Sequence, residues 1–530
     1  MKRASIAASC LLLVAITFLP AVALNSPSFG TLGFAASASS PIADSAATTI
    51  YNSTNSNTIV SGYQRHCFGL VQGRYWCFIA EDSIPGYTSS ADGTAWSTPQ
   101  SLPVSATKYQ PDWTIGLWVD YKSSIVYLAY ANQSSHYFTF DIGSLNSTGS
   151  ISWSYVKSVR THNYQASFPS VTLDSSHNVE VAVQTCSTSS CFGTPPPPRH
   201  LEVWKCLIGA SGCSSWSYIR DINVGVPIGG PLSSPDVQFR PEILSLSNGG
   251  LALAWGEPIP VTPISIETCP AQCSNGSWSS PLTTAGNYSL SKSGFVAIGN
   301  TIYMGLLRKS STSSFQTPCS TTVLCQVVFA TYLYGSSSIY ESSPFVTDQT
   351  LNTVNIATDG NNELVLLYDN STTINHFVSP DLGQTWVSNA TDVVGIPNPC
   401  PTVACLQSES LNTGYMVVSG NLVETWTYTL ANYQCPCPTK FTVVPLGITT
   451  TTSPTTTTTT TSSSATTTTT SSSATTTTTS SSATTTSSSA TTTSSSATTT
   501  TTSSAVGAWC SLNNQSPAVG NWIRFSCSGL

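Results

Sequence analysis

The sequence predicts an all-β fold, a β-propeller of seven blades, on three observations. A strand-turn-strand phrase returns about every fifty residues. No stretch of the body carries the apolar period of an amphipathic helix. The body between an N-terminal leader and a threonine-rich stretch runs to about 420 residues, more than one ordinary core accommodates. A radial array adds core wedge by wedge and removes that limit. Two stacked β-sandwiches are the competing architecture, but they do not oblige the phrase to repeat.

The phrase is clearest in FPSVTLDSSHNVEVAVQT at 168–185, where two apolar strands flank the turn cluster DSSHN. It returns in PDWTIGLWVDYKSSIVYLAYA from Pro111, FRPEILSLSNGGLALAWGE from Phe239, GFVAIGNTIYMGLLRK from Gly294 and TVNIATDGNNELVLLYDN from Thr353. Weaker copies are RHCFGLVQGRYWCFIAED from Arg65 and ESLNTGYMVVSGNLVETWTYTL from Glu409. A more variable stretch follows each of the first six, often closing on an aromatic strand such as ISWSYVKSV or SSWSYIRDI. The count favours seven blades over six. The last blade lacks an outer strand, and residues 24 to about 59 are expected to supply it and close the ring.

Residues 1–23 read as a secretory signal: basic Lys2 and Arg3, an apolar run from Ile6 to Leu19 too short to span a bilayer, and small residues at Ala21 and Ala23. Residues 24–447 form the propeller. Residues 448–504 are almost pure Thr, Ser and Ala, which bury nothing and predict an extended, unfolded stalk suited to O-glycosylation. Residues 505–530 hold two strand-like runs with a cysteine in each. They resemble the opening of an immunoglobulin-like repeat and are too short for a sandwich, which leaves a fragment or a small disulfide hairpin.

Charged residues make up 8% of the chain, against about 25% in typical soluble proteins, so Ser, Thr and Asn must wet the surface. A net charge of −7 without clustered Lys or Arg argues against nucleic acid. Of seventeen cysteines, sixteen remain once Cys10 leaves with the signal. Close neighbours suggest disulfides: Cys67 with Cys77, Cys186 with Cys191, Cys206 with Cys213, Cys269 with Cys273, Cys319 with Cys325, Cys400 with Cys405, Cys435 with Cys437, and Cys510 with Cys527. Spacing alone does not fix connectivity, and Cys435 and Cys437 have the alternative of bridging to other strands. Irregular spacing without a histidine pair disfavours zinc, and neither metal nor cofactor is expected. Sequons at Asn52, Asn132, Asn146, Asn275, Asn287, Asn370, Asn389 and Asn514 suit an exported glycoprotein at the cell surface.

Two short stretches carry a resemblance. In SPDLGQTW, Ser379, Asp381, Gly383, Thr385 and Trp386 fit the S-x-D-x-G-x-T-W pattern of the Asp-box. In SADGTAW, Ser90, Asp92, Gly93 and Trp96 fit a version one residue shorter, placed after the second strand of its blade. The body thus resembles the sialidase-like, bacterial-neuraminidase-repeat propellers. The residue types themselves make a fastener: Ser and Asp bond the turn backbone, Gly allows positive φ, and Trp pins the hairpin to the next strand. The resemblance implies that these turns join third and fourth strands on the rim away from the ligand, so neither Asp92 nor Asp381 is a catalyst.

Sialidases, as a family, grip a sugar carboxylate with three arginines and pair a nucleophilic tyrosine with a glutamate. Candidates here precede the inner strands: Arg65, Tyr109, Asp112, Tyr164, Arg240 and Glu242, with Tyr-Gln recurring at 63–64, 109–110 and 164–165. Together they would line a polar mouth. Only eight arginines remain after export, however, and the FRIP opening of many sialidases is absent; FRPE at 239–242 shares its first two letters. No G-x-S-x-G, H-E-x-x-H or phosphate loop is present. The expectation is an exported, non-catalytic propeller that binds glycan or a surface protein through its funnel face. A sialidase-like glycoside hydrolase and a structural cell-envelope protein are the alternatives.

Overall fold

A computed structural model describes residues 40–53, 65–79, 85–103, 113–132, 136–188, 197–209, 212–225, 239–256, 262–271, 273–274, 276–290, 293–309, 319, 323–370, 372–396, 411–427, 437–446, 509–513 and 524–528. Among these residues it is all-β, a seven-bladed propeller, with helical structure limited to short 3₁₀ turns such as Asp44–Ala46. No helix among them is long and apolar enough to cross a membrane.

Each repeated phrase becomes the inner hairpin of one blade. Blade 1 is Cys67–Val71, Arg74–Ile79, Gly86–Ser90 and Gln100–Ser101, and blade 2 is Trp113–Asp120, Ile125–Asn132, Tyr137–Leu145 and Ile151–Arg160. Blade 3 is Tyr164–Leu173, Val179–Cys186, Arg199–Gly209 and Gly212–Gly225; blade 4 is Glu242–Ser245, Leu251–Trp255, Ser265–Cys269 and Leu282–Thr283. Blade 5 is Gly294–Ile298, Thr301–Lys309, Cys325–Leu333 and Tyr340–Glu341, with Val346–Asp348 also on its third strand. Blade 6 is Thr353–Thr358, Leu364–Asp369, Thr373–Ser379 and Val387–Val394. Blade 7 takes three strands, Asn412–Thr413, Asn421–Thr427 and Cys437–Pro445, from the end of the body and its outer strand, Thr48–Ser53, from the beginning.

That early segment closes the ring in the region the sequence indicated. Thr48 to Ser53 run antiparallel to Phe441 to Cys437. Just upstream, Ile42–Ala43 pairs in parallel with Val393 and Val394 on the edge of blade 6. Between the two, the buried Asp44 accepts a hydrogen bond from Trp426 Nε1 of blade 7 at 3.0 Å.

Burial occurs at the seams. Apolar clusters join blades 1 and 2 through Trp76 and Leu128, 2 and 3 through Phe140 and Val181, and 3 and 4 through Val203 and Leu253. Others join blades 4 and 5 through Ile266 and Met304, 5 and 6 through Val327 and Leu366, and 7 and 1 through Phe441 and Cys77. At the seam of blades 6 and 7, His376 Nδ1 lies 2.6 Å from Asp392 Oδ2, and burial beside Asp392 pushes the Glu424 carboxyl well up.

Disulfides link Cys67 with Cys77, Cys206 with Cys213, Cys269 with Cys273, and Cys319 with Cys325, each within one blade. Cys186 is also disulfide-bonded. Cys191, Cys400, Cys405 and Cys435, the leader, the stalk, Asn275 and Asn514 lie outside the described residues, as do the side chains of Asn132, Asn389 and Cys437. In a separate unit, Trp509–Asn513 and Arg524–Ser528 form an antiparallel pair with Cys510 opposite Cys527.

The two tryptophan turns join third to fourth strands, so the turn at Ser90 follows the third strand of blade 1, not the second. Asp381 Oδ1 accepts from Ser379 Oγ at 2.9 Å and from Thr385 N at 2.7 Å, and Gly383 N donates to Ser379 Oγ at 2.7 Å. Asp92 Oδ1 likewise accepts from Ser90 Oγ, Thr94 N and Ala95 N, and these amides hold its carboxyl well below the usual range.

The tryptophans do not pin the next strand. Each packs edge-on to a phenylalanine on the third strand of the preceding blade: Trp386 on Phe329 of blade 5 at 5.0 Å, and Trp96 on Phe441 of blade 7 at 4.8 Å. The glycine of the turn makes room. Gly383 has φ of 88°, and a Cβ there would meet Phe329 at 2.4 Å. The turns are therefore clasps between blades.

Truncating either buried phenylalanine removes one half of a clasp. Phe329→Ala and Phe441→Ala should each cost about 3–5 kcal/mol in urea denaturation. A loss below about 1 kcal/mol at both would show that the clasps carry little of the seam's stability.

Candidate functional site

In an up-and-down blade, the hairpins joining strands 1 to 2 and 3 to 4 share one rim. The 2-to-3 loops and the crossovers between blades share the other, here called the crossover rim. The tryptophan turns lie on the first rim and the residues preceding the inner strands approach the axis from the second.

Arg65 directly precedes the inner strand of blade 1 and reaches across the axis. Its Nη1 donates to Gly414 O at 3.0 Å and its Nη2 to Phe295 O at 2.9 Å, which ties blade 1 to blades 7 and 5. The guanidinium lies 4.4 Å over the Tyr415 ring, a cation–π contact. Glu242 opens the inner strand of blade 4. Its Oε2 accepts from Ser170 Oγ of blade 3 at 3.2 Å and its Oε1 from Tyr415 OH at 3.3 Å. Arg65 and Glu242 are each only 2% exposed.

The electrostatics follow from that burial. Desolvation pushes the Glu242 carboxyl up to about 7, against the opposing pull of Arg65, Ser170 and Tyr415. It lowers the Arg65 guanidinium, partly offset by Tyr415, Glu242 and Tyr121. Burial and then the Glu242 charge push the Tyr415 phenol well above its ordinary value, with Arg65 opposing. A phenol shifted that way is a poorer nucleophile, the reverse of what glycosyl transfer to tyrosine requires.

The expected polar mouth is therefore corrected. Arg65 and Glu242 do come together, but as a buried brace: both Nη of Arg65 and both carboxylate oxygens of Glu242 are engaged by neighbouring blades, while Arg65 Nε has no hydrogen-bond partner among the described residues. Arg240 does not join them. It has φ of 39° and lies 5.0 Å over the Phe168 ring. Tyr164 is 39% exposed on the crossover rim and meets His136 edge-on at 4.2 Å. Tyr109, Asp112 and the Tyr-Gln pairs at 63–64 and 109–110 lie outside the described residues.

Ser170 and Tyr415 were not anticipated. Ser170 is hidden in an apolar strand run, while Tyr415 sits in the irregular seventh copy, where GYMVV stands outside any strand. That irregularity was the available signal: the Tyr415 carbonyl accepts from Thr358 N of blade 6, and its ring meets Arg65 and Glu242.

Among the described residues, no group of three or more His, Cys, Asp or Glu side chains is arranged to hold a metal. Away from the axis, a cavity of about 400 Å³ opens on the crossover rim between blades 3 and 4.

No family model and no curated protein matches the chain. Among solved structures it is similar to a polysaccharide lyase (10% identity, 75% of this chain and 92% of that one, TM-score 0.41). A GH93 α-L-arabinofuranosidase of Fusarium graminearum matches at 10% identity, 62% and 92% coverage and TM-score 0.38. A Hadza microbial sialidase matches at 10%, 70% and 76%, with TM-score 0.37. Likeness this distant does not bear on what the chain binds.

The raised Glu242 value has a sign. Its folded pKa of about 7 exceeds the ordinary 4.5, so the contribution is full below about 4.5 and is lost as pH rises through 7. Glu242→Gln keeps one acceptor oxygen, turns the other position into an N–H donor toward Ser170 or Tyr415, and carries no titrating proton. It should flatten the fall in stability between pH 5 and 8 by up to about 3 kcal/mol. Parallel wild-type and variant curves would contradict the buried, protonated carboxyl.

Proposed function

We propose that the chain is an exported, disulfide-stapled propeller that binds glycan at its crossover rim and performs no covalent chemistry. The observation that carries this reading is the fate of Arg65, whose two Nη atoms donate to backbone carbonyls of blades 7 and 5 instead of offering a fork to a sugar carboxylate. The crossover rim supplies what the axis does not: an off-axis cavity and the exposed rings of Tyr137 and Tyr164, 44% and 39% accessible. Removal of residues 1–23, a glycosylated stalk over residues 448–504 and a surface-protein partner as an alternative to glycan belong to the same reading. So does the Asp-box assignment of the tryptophan turns.

A sialidase-like hydrolase is favoured by one contact, the hydrogen bond from Tyr415 to Glu242 beside a buried arginine. The upward shift of the Tyr415 phenol works against it.

Two measurements separate the readings. Residues 24–447 on a glycan array should show selective binding, and a fluorogenic sialoside panel should show no turnover. Turnover abolished by Tyr415→Phe and Glu242→Gln, in variants that still fold, would overturn the non-catalytic reading. An array without binding would remove glycan as the ligand.

A further inference from the structure

The wall that blade 4 presents to the off-axis cavity follows from strand register. Trp255 pairs with Ser265, and Ser265 with Thr283, so the three side chains project from one face of the sheet. Glu267, two residues beyond Ser265, shares that face. Ile266 and Leu282, between them, turn the other way into the seam with blade 5. Blade 4 thus shows blade 3 a strip of one indole, two hydroxyls and a carboxylate. Opposite stand Ile222 and Val224, from the face of blade 3's outer strand that packs on blade 4.

The polar groups of this strip are incompletely engaged. Glu267 is 3% exposed, and its Oε2 accepts from both Arg220 Nε at 3.2 Å and Arg220 Nη2 at 2.8 Å. Its Oε1 accepts no hydrogen bond among the described residues, and neither do the side-chain hydroxyls of Ser265 and Thr283 make one. A carboxylate held rigid by arginine, with one oxygen accessible from a cavity, is a pre-positioned acceptor for a ligand hydroxyl.

From this geometry we propose that the cleft between blades 3 and 4 binds a neutral sugar unit of one or two rings. Glu267 Oε1 and the Ser265 and Thr283 hydroxyls take its hydroxyl groups, and the Trp255 side with Val224 takes its C–H face. The volume of about 400 Å³ lies within the ~300–1,000 Å³ of small-molecule sites. Among the described residues no lysine or arginine lines the cleft, and Arg220, behind it, is engaged with Glu267. Sialic acids, uronic acids and phosphates therefore meet a negative oxygen without a compensating charge, and are rejected. The proposal rests on the glycan-binding reading and narrows it to a place and a ligand class.

The test uses the full chain on an array of neutral oligosaccharides ending in hexose, deoxyhexose or N-acetylhexosamine, printed beside sialylated and uronic-acid counterparts. Thr283→Trp fills the cleft from blade 4 and Val224→Trp fills it from blade 3. Thr283 is exposed and Val224 half-buried, and thermal melts report folding. Neutral glycans should bind the wild type and lose at least about tenfold in affinity with either filled variant that folds. Binding that survives filling from both walls overturns the cleft and leaves the glycan reading intact. Selective binding of acidic glycans overturns the neutral class. A wild type that binds no glycan overturns both.

Discussion

The structure depends on closing a ring of wedges with a strand from the far end of the chain. A blade buries both faces only when it has two neighbours, so an open seam would expose the apolar faces of blades 7 and 1 together. Residues 42–53 prevent this by touching two blades at once, with Ile42 and Ala43 on blade 6, Asp44 under Trp426, and Thr48 to Ser53 on the third strand of blade 7. Bringing residues almost 400 positions apart into register has an entropic cost, but that cost grows only slowly with loop length. It is offset by the burial that closure completes.

Closure also decides what the axis can do. Seven inner strands converge on the axis, and there Arg65 and Glu242 bond backbone and hydroxyls from other blades. Arg65, Glu242, Ser170 and Tyr415 together link blades 1, 3, 4, 5 and 7. Such a brace fixes how the blades are arranged, and it leaves recognition to the crossover rim, where loops and strand ends diverge. The tryptophan turns complete the division of labour by clasping successive blades on the opposite rim.

Much of this was legible in the sequence. The seven inner hairpins announce themselves because they are buried on both faces, and their apolar strands contrast with polar turns such as DSSHN and TDGNN. Three outer strands are harder to see because they are short: Gln100–Ser101, Leu282–Thr283 and Tyr340–Glu341 are two residues each and carry no period. Arg65 and Glu242 stood out as polar residues before inner strands, yet composition cannot tell a polar mouth from a buried brace. That distinction depends on Gly414 O and Phe295 O, which are backbone atoms with no signature. The cleft at Trp255 was hidden for a related reason, since its wall is assembled across three strands whose pairing appears only in three dimensions.

Native-state hydrogen exchange on the intact chain tests ring closure most directly. If the N-terminal strand is an integral part of blade 7, amides of Thr48–Ser53 that bond to Cys437–Pro445 will exchange together with that strand, at a free energy close to that of global unfolding. Free exchange of residues 48–53 while residues 437–445 stay protected would show that the ring holds without them.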